Sequence, residues 1–215
     1  MNALLFPDRC LGCGERPDLT PWLCSGCRLS LPVADPLAVA GRADLFEPGL
    51  VGVQAAWYTE PDSPVRRLVH GVKYRFNPDL ASWLGEESVR ETIRPAADLI
   101  VPLPLHRVRL RERGFNQAAL IGTGVSRALA LPMRDVLTRT RPSGSQTRKS
   151  AAGRRDLEAG TFRARESVEG CRVLLVDDVL TTGSTLRTAA AALVAAGACE
   201  VRGLVVAASR RPGCP

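Results

Sequence analysis

One stretch, residues 173–185, decides the fold, and it reads Val-Leu-Leu-Val-Asp-Asp-Val-Leu-Thr-Thr-Gly-Ser-Thr. Its apolar run, Val173–Val176, predicts a strand that is buried on both faces. Two carboxylates, Asp177 and Asp178, follow at the predicted end of that strand, then a loop of hydroxyl residues and one glycine, then an Ala-rich helical segment. This order indicates a site for a sugar phosphate, because a helix N-terminus offers free N–H groups and a positive dipole end to a phosphate.

The loop supplies small donors and a permissive backbone. Gly183 lets the main chain approach a ligand, and the neighbouring hydroxyls add hydrogen-bond donors. We expect the phosphate to contact Thr181, Thr182, Gly183, Ser184 and Thr185. The two carboxylates would accept hydrogen bonds from ribose hydroxyls. The alternative is an ordinary strand-to-helix turn with Thr182 or Ser184 as the N-cap, which leaves two adjacent carboxylates unexplained.

Over its thirteen residues the stretch resembles, without a gap, the 5-phosphoribosyl-1-pyrophosphate (PRPP) signature of type I phosphoribosyltransferases. The resemblance implies an α/β fold with a mainly parallel sheet and helices on both faces, Mg²⁺ bound together with PRPP, and a glycosyltransferase reaction. Thr181 stands where 6-oxopurine transferases have an acidic residue, and the Thr-Thr-Gly form is more similar to orotate transferases or regulatory PRPP binders. No residue is assigned as the base that activates an acceptor, so the catalytic residues are unknown and enzymatic activity stays open.

Four cysteines near the start of the chain have the spacing of a metal site. Two C-x2-C pairs separated by ten residues place them at Cys10, Cys13, Cys24 and Cys27. The glycine before the second cysteine of each pair permits a tight turn. Four thiolates close a tetrahedral Zn²⁺ site with no open position, which is structural and not catalytic. Two disulfides or an iron centre are the alternatives. The intervening segment is too short and polar to form its own core, so we expect the metal to supply folding energy.

Length and composition are those of one globular α/β domain with a small appendage, at 215 residues and 45% apolar. We predict a zinc ribbon at 1–32, a linker running over the surface at 33–50 and a phosphoribosyltransferase-like domain at 51–215, with the ribbon as a hood over the acceptor. No apolar run reaches the ~20 residues of a membrane span. The first residues lack the features of a secretory signal, so we expect a cytoplasmic protein without membrane insertion.

The net charge of +7 is concentrated in two segments. Residues 106–113 contain four arginines against one acid, and residues 139–165 contain eight Arg or Lys against two acids. Local basic patches indicate an anionic partner. The candidates for contact with a diphosphate or with DNA phosphates are Arg107, Arg109, Arg113, Arg148 and Lys149. A solvated helix face is the alternative for the first segment, and is preferred for Arg111. A disordered tip is the alternative for the loop at 140–155.

Motifs over nearly the whole chain are similar to those of the ComF family, which includes late-competence proteins. Besides the four cysteines they are Pro-Leu-Pro-Leu-His at 102–106, Arg113–Gln117, Val72–Tyr74, and Gln146-Thr147 followed by Arg154-Arg155. The resemblance implies a role in DNA uptake and natural transformation, with PRPP or a similar sugar phosphate, single-stranded DNA and other DNA-uptake proteins as candidate partners. A single-stranded-DNA-handling accessory factor and a non-catalytic PRPP sensor are the alternatives to a transferase.

Periodicity and turn signals predict the remaining elements. Strands are expected at 51–58, 98–103, 135–139, 171–179 and 201–208, with Thr161-Phe162 extending the sheet. Helices are expected at 64–74, 78–90, from the N-cap Asn116 to about 131, and at 185–196 before Gly197. His70, on the first of these helices, is interpreted as a surface or packing residue.

Overall fold

The computed structural model describes residues 9–40, 49–74, 77–140 and 160–210. Its helices are α1 (Ser25–Leu29), α2 (Pro36–Ala40), α3 (Pro64–Tyr74), α4 (Pro78–Arg90), α5 (Arg107–Arg113), α6 (Gln117–Leu129) and α7 (Ser184–Ala195). Its strands are β1 (Leu50–Thr59), β2 (Leu99–Pro102), β3 (Leu137–Arg139), β4 (Phe162–Ala164), β5 (Arg172–Leu180) and β6 (Glu200–Ser209). Within the described ranges, no helix combines the length and apolar character needed to cross a bilayer.

The main sheet has four strands in the order β1-β6-β5-β2, and every pair in it is parallel. The predicted apolar run Val173–Val176 is fully buried in β5, between β6 and β2. A parallel strand that is covered on both faces has no solvent side, which is why its residues are apolar without alternation. The predicted fold class is therefore confirmed.

Helices cover both faces of this sheet. One face packs against α3, α4 and α6, with a core that includes Leu68, Leu84, Ile121 and Leu174. The other face packs against α7, α2 and the β3–β4 pair, with a core that includes Leu175, Leu186, Leu193 and Val205. The layered arrangement leaves the carboxyl ends of the strands as the place where loops and helix N-termini meet.

One strand prediction was confirmed and another was wrong. The predicted strand 171–179 is β5 (Arg172–Leu180), which contains the acidic pair because the apolar strand β6 remains paired with it as far as Ala208. Phe162 does not extend the main sheet. It lies in β4, which forms a separate antiparallel pair with β3. The outer edge of β2 is occupied instead by residues 132–134, whose backbone bonds to Ile100 in both directions.

The segment at 33–40, predicted as part of a surface linker, is attached to the edge of β1. Backbone bonds join Pro32 O to Tyr58 N at 2.7 Å and Ala34 N to Ala56 O at 3.0 Å. Val39, on α2, is buried in the core. The correction has a simple cause, since β1 is an edge strand whose free backbone groups need partners. Residues 41–48 of the predicted linker lie outside the described ranges.

The cysteine-containing segment also packs onto the α/β domain. Trp22 and Leu23 are buried in the same core as Trp57. Arg28, on α1, forms ion pairs of 2.6 Å with Glu87 of α4 and with Glu91, the C-cap of that helix. The rest of the chain thus supplies the apolar contacts that this segment is too short to make alone, in addition to any metal.

Candidate functional site

The candidate site lies at the carboxyl edge of the main sheet. β5 leads there into residues 181–183 and then α7, β2 leads into α5 and α6, and β1 leads into α3. Because the three strands are parallel, the segments that follow them meet at the same edge. This placement brings together residues that lie more than a hundred positions apart in the chain.

The N-terminus of α7 is the anion-binding element that the sequence predicts. Its N-cap is Gly183, in the left-handed conformation at φ 77°, and no side chain caps the helix. That backbone conformation favours glycine. Thr182 and Ser184 have hydroxyl oxygens 3.4 Å apart, and neither is the N-cap. The alternative of a turn capped by one of them is therefore wrong, and the first turn of α7 can face an anion.

Asp178 is buried and held by two partners from different helices. Its carboxylate lies 2.9 Å from the Lys73 ammonium on α3 and accepts a hydrogen bond of 3.4 Å from the Gln117 amide on α6. Only 7% of Asp178 is exposed, so an ionised carboxylate there needs such partners. The Gln117 Oε1 atom is buried and has no hydrogen-bond partner within the described residues.

Asp177 faces the opposite side of β5, since successive residues of a strand alternate. Burial and the neighbouring charge of Asp178 raise the pKa of Asp177 to about 7, although Lys73 and Arg139 act in the other direction. Arg139 lies on β3 with its guanidinium 5.3 Å from the Phe162 ring, and burial lowers its pKa. The two carboxylates of the acidic pair therefore differ, because Asp178 is paired with Lys73 and Asp177 has a raised pKa.

Asp177→Asn is expected to change how stability depends on pH. Because the folded pKa lies above the ordinary value near 4, native Asp177 keeps a proton between about pH 4 and 7 that the unfolded chain has lost. Its contribution therefore becomes less favourable as pH rises through that window. Urea unfolding at pH 4.5 and pH 8 should show Asp177→Asn gaining stability relative to wild type at the higher pH.

The control for this titration is Asp98→Asn. Hydrogen bonds from Arg172 lower the pKa of Asp98 to about 2. The stability that Asp98 contributes is lost only as pH falls from about 4 towards 2, so its variant should show the same difference from wild type at pH 4.5 and pH 8. An equal stability difference for Asp177→Asn at both pH values would contradict the raised pKa.

The predicted arginines fall into three groups. Arg113 is partly buried, with its guanidinium 5.8 Å from the Tyr74 ring and its Nη1 atom without a partner among the described residues. Arg107 and Arg109 are exposed on α5, and Arg109 pairs with Glu112 at 3.1 Å. Helix α5 buries no residue, as expected for a solvated face. Arg148 and Lys149 lie outside the described residues.

Three residues of this edge were missing from the predicted site set, namely Lys73, Gln117 and Arg139. Lys73 and Gln117 lie in the motifs that resemble the ComF family, and that signal could have identified them. Arg139 lies in no such motif, only in the basic segment at 139–165. Its position near Asp177 depends on the pairing of β3 with β4. The assignment of phosphate, ribose and diphosphate contacts to the predicted residues stays a prediction.

The four predicted metal ligands do come together. The sulfur atoms of Cys10, Cys13, Cys24 and Cys27 all lie within 4.8 Å of one another, and Cys13 and Cys24 are 3.7 Å apart. Tetrahedral Zn²⁺ with Zn–S bonds of about 2.3 Å requires sulfurs about 3.8 Å apart. All four cysteines are free thiols, which disfavours two disulfides. The donor set fits a structural zinc ion.

The electrostatics of the cluster also suit a cation. Burial by itself would raise the pKa of Cys10, but backbone N–H donors, led by Cys24, lower it to about 6. Burial and the neighbouring sulfurs raise the pKa of Cys27. A bound cation would let the thiolates coexist. A Cβ at Gly12 would lie 2.5 Å from Cys27 Sγ, so Gly12 is required by the lack of space beside the sulfur and not by its backbone conformation. Gly26, the corresponding glycine of the second pair, has open space around it.

Comparison with known proteins adds sequence relationships to this geometry. Residues 116–213 match the family described as the phosphoribosyl transferase domain. The DNA utilization protein YhgH of Escherichia coli K12 is 34% identical over 158 residues, which are 70% of this chain and 68% of that protein. YhgH of Salmonella typhi is 30% identical over 93% of this chain and 96% of its own length. Competence protein ComFC of Bacillus subtilis is 36% identical over 46% of this chain and 39% of its own length.

Proposed function

The chain belongs to the ComF family of proteins with a phosphoribosyltransferase-type domain, and from this premise we propose that it binds PRPP with Mg²⁺ through Val173–Thr185 and acts in DNA uptake or utilization. The second part of the proposal is supported by relatives named DNA utilization protein and competence protein. The first part is supported by the site itself, because a helix N-terminus without a side-chain cap and a buried carboxylate paired with Lys73 both lie at the carboxyl edge of the sheet.

Each part of PRPP has a candidate partner at the carboxyl edge. The first turn of α7 and the loop before it would hold the 5-phosphate. Asp178, paired with Lys73, would accept a hydrogen bond from a ribose hydroxyl, and Asp177 is the second candidate acceptor. Arg113, whose Nη1 atom has no described partner, is the leading candidate for the diphosphate.

The oxygen donors of this edge also fit Mg²⁺, which prefers oxygen ligands and few protein ones. When bound it neutralises charge on the diphosphate. The residues of the chain orient the sugar and stabilise positive charge that develops at C1. Leu11, from the cysteine segment, lines a cavity with His70 and Tyr74 of α3, which supports the segment as a hood over this edge.

PRPP binding is the decisive test. In calorimetric titration with Mg²⁺, Asp178→Asn is expected to weaken PRPP binding by at least roughly tenfold, because it removes a charged acceptor worth about 1.5–3 kcal/mol. Gly183→Ala should weaken it by a similar factor, because a Cβ is placed where the phosphate approaches. The matched control is Gly170→Ala, whose φ of 67° carries the same strain at the opposite edge of the sheet. Equal PRPP affinity in all four proteins would refute the proposal.

Turnover separates a transferase from a sensor. Release of diphosphate from PRPP with a panel of bases and amines would establish a transferase, and its absence alongside tight PRPP binding would favour the sensor. No residue of the site is assigned as the base that activates an acceptor, so the proposal includes both a transferase and a sensor.

Single-stranded DNA handling is a second candidate, favoured by the exposed arginines of α5. Arg107, Arg109 and Arg111 all point to solvent on a helix that buries no residue. Replacing the three with glutamine is expected to weaken single-strand binding at low salt and to reduce its salt dependence. Binding that does not depend on salt would count against this candidate.

A further inference from the structure

A cavity of ≈ 420 Å³ lies beside the Lys73–Asp178 ion pair. Its walls come from the carboxyl ends of β1, β5 and β6 and from one side of α3, and they include Lys73, Tyr74, Val179 and Ser209. The volume lies in the range of small-molecule sites in proteins. Because Lys73 belongs to both, a molecule in this cavity would lie next to whatever Asp178 binds.

One wall of the cavity is an exposed aromatic pair. His70 and Tyr74 are one helical turn apart on α3, and their ring centroids are 4.3 Å apart with the planes tilted by 33°. Tyr74 is 67% exposed even though the Arg113 guanidinium approaches its ring. An exposed aromatic surface at a cavity wall can stack against another planar ring.

The cavity is also positively charged. Arg66, Lys73 and Arg210 line it together with one acid, Glu60, which pairs with Arg210 at 3.2 Å. Lys73 is balanced by Asp178 and Arg210 by Glu60, so among the described residues that line the cavity the guanidinium of Arg66 supplies the excess positive charge. A ligand with an anionic group fits this balance better than a neutral one.

We propose that this cavity binds a planar aromatic ring that carries an anionic group, as the second substrate of the PRPP site. The His70–Tyr74 pair stacks on the ring, and Arg66 binds the anion. The chemistry is that of an aromatic carboxylate or of a nucleotide. The role as second substrate rests on the proposed PRPP binding, whereas the ligand class rests on the cavity alone.

Paired probes test the ring and the charge separately. The full chain is titrated with orotate against uracil, and with thymidine 5′-phosphate against thymidine. PRPP with Mg²⁺ is titrated in parallel. The charged member of at least one pair is expected to bind roughly tenfold tighter than its neutral partner, and the pair that shows this identifies the source of the anion. Tyr74→Ala and Arg66→Gln should each weaken that binding severalfold, and Arg66→Gln should leave PRPP affinity unchanged within about twofold.

The matched control is Arg163→Gln, which removes an exposed arginine on β4 away from this edge and should leave all affinities unchanged. Equal binding of charged and neutral probes, or no effect of Tyr74→Ala, would overturn the proposal. Binding of PRPP without any of the four probes would overturn it as well and leave the proposed function intact. Tyr74-dependent binding of a charged probe without PRPP binding would support the ligand class and refute the PRPP site.

Discussion

Cys10→Ser is expected to abolish stoichiometric zinc binding and to unfold the cysteine segment. Cys10 is the buried ligand of the four, and its sulfur accepts backbone hydrogen bonds from Gly12 and Cys24, both at 3.3 Å. Serine cannot replace a thiolate as a Zn²⁺ ligand. Structural zinc sites contribute about 10–16 kcal/mol of apparent binding energy to small modules, so losing one ligand removes a large part of their folding free energy.

Metal analysis and thermal unfolding would measure this effect. Wild type should contain one zinc ion per chain, and Cys10→Ser well under half of that, with a lower melting temperature. Cys171→Ser is the control, because Cys171 is a free cysteine outside the cluster. The domain contacts of Trp22 and Arg28 predict that the loss also exposes Trp57, so the tryptophan fluorescence of the chain should shift to longer wavelength. Full zinc content in Cys10→Ser would contradict the four-cysteine site.

Gly124→Ala is expected to destabilise the protein by about 3 kcal/mol or more, through overpacking between α4 and α6. A Cβ at Gly124 would collide with the backbone carbonyl of Ser82, and one at Gly85 would collide with that of Ile121. The two glycines thus let the helix backbones approach each other directly. Backbone atoms cannot move aside as a flexible side chain can, so the helices would have to separate.

The sign of this effect is diagnostic, and urea unfolding would measure it. By helix propensity alone alanine should stabilise α6 by up to about 1 kcal/mol relative to glycine, so a loss of stability must come from packing. Gly52→Ala is the matched control, since Gly52 has an ordinary φ and open space around it, and its stability should change little. A stabilised Gly124→Ala variant would show that α4 and α6 are less closely packed.

Several parts of the fold could be predicted because their signals are local. Helix α4 begins and ends at the predicted residues, since Asn77 caps it and Pro78 occupies its first turn. The C-x2-C pairs predicted the sulfur cluster because short spacing limits where the thiols can lie. The partner of β4 was predicted wrongly, because it depends on which strand lies alongside and not on the segment itself.

The chain's sequence by itself determined the buried strand, the glycine at the start of α7, the acidic pair and the four cysteines, since each is encoded within a few adjacent residues. Only the tertiary structure decided that the two carboxylates separate, with Asp178 held by Lys73 and Gln117 and Asp177 facing Arg139. The reason is that burial, ion pairing and pKa are set by side chains from α3, α6 and β3, which become neighbours only when the helices pack on both faces of the sheet.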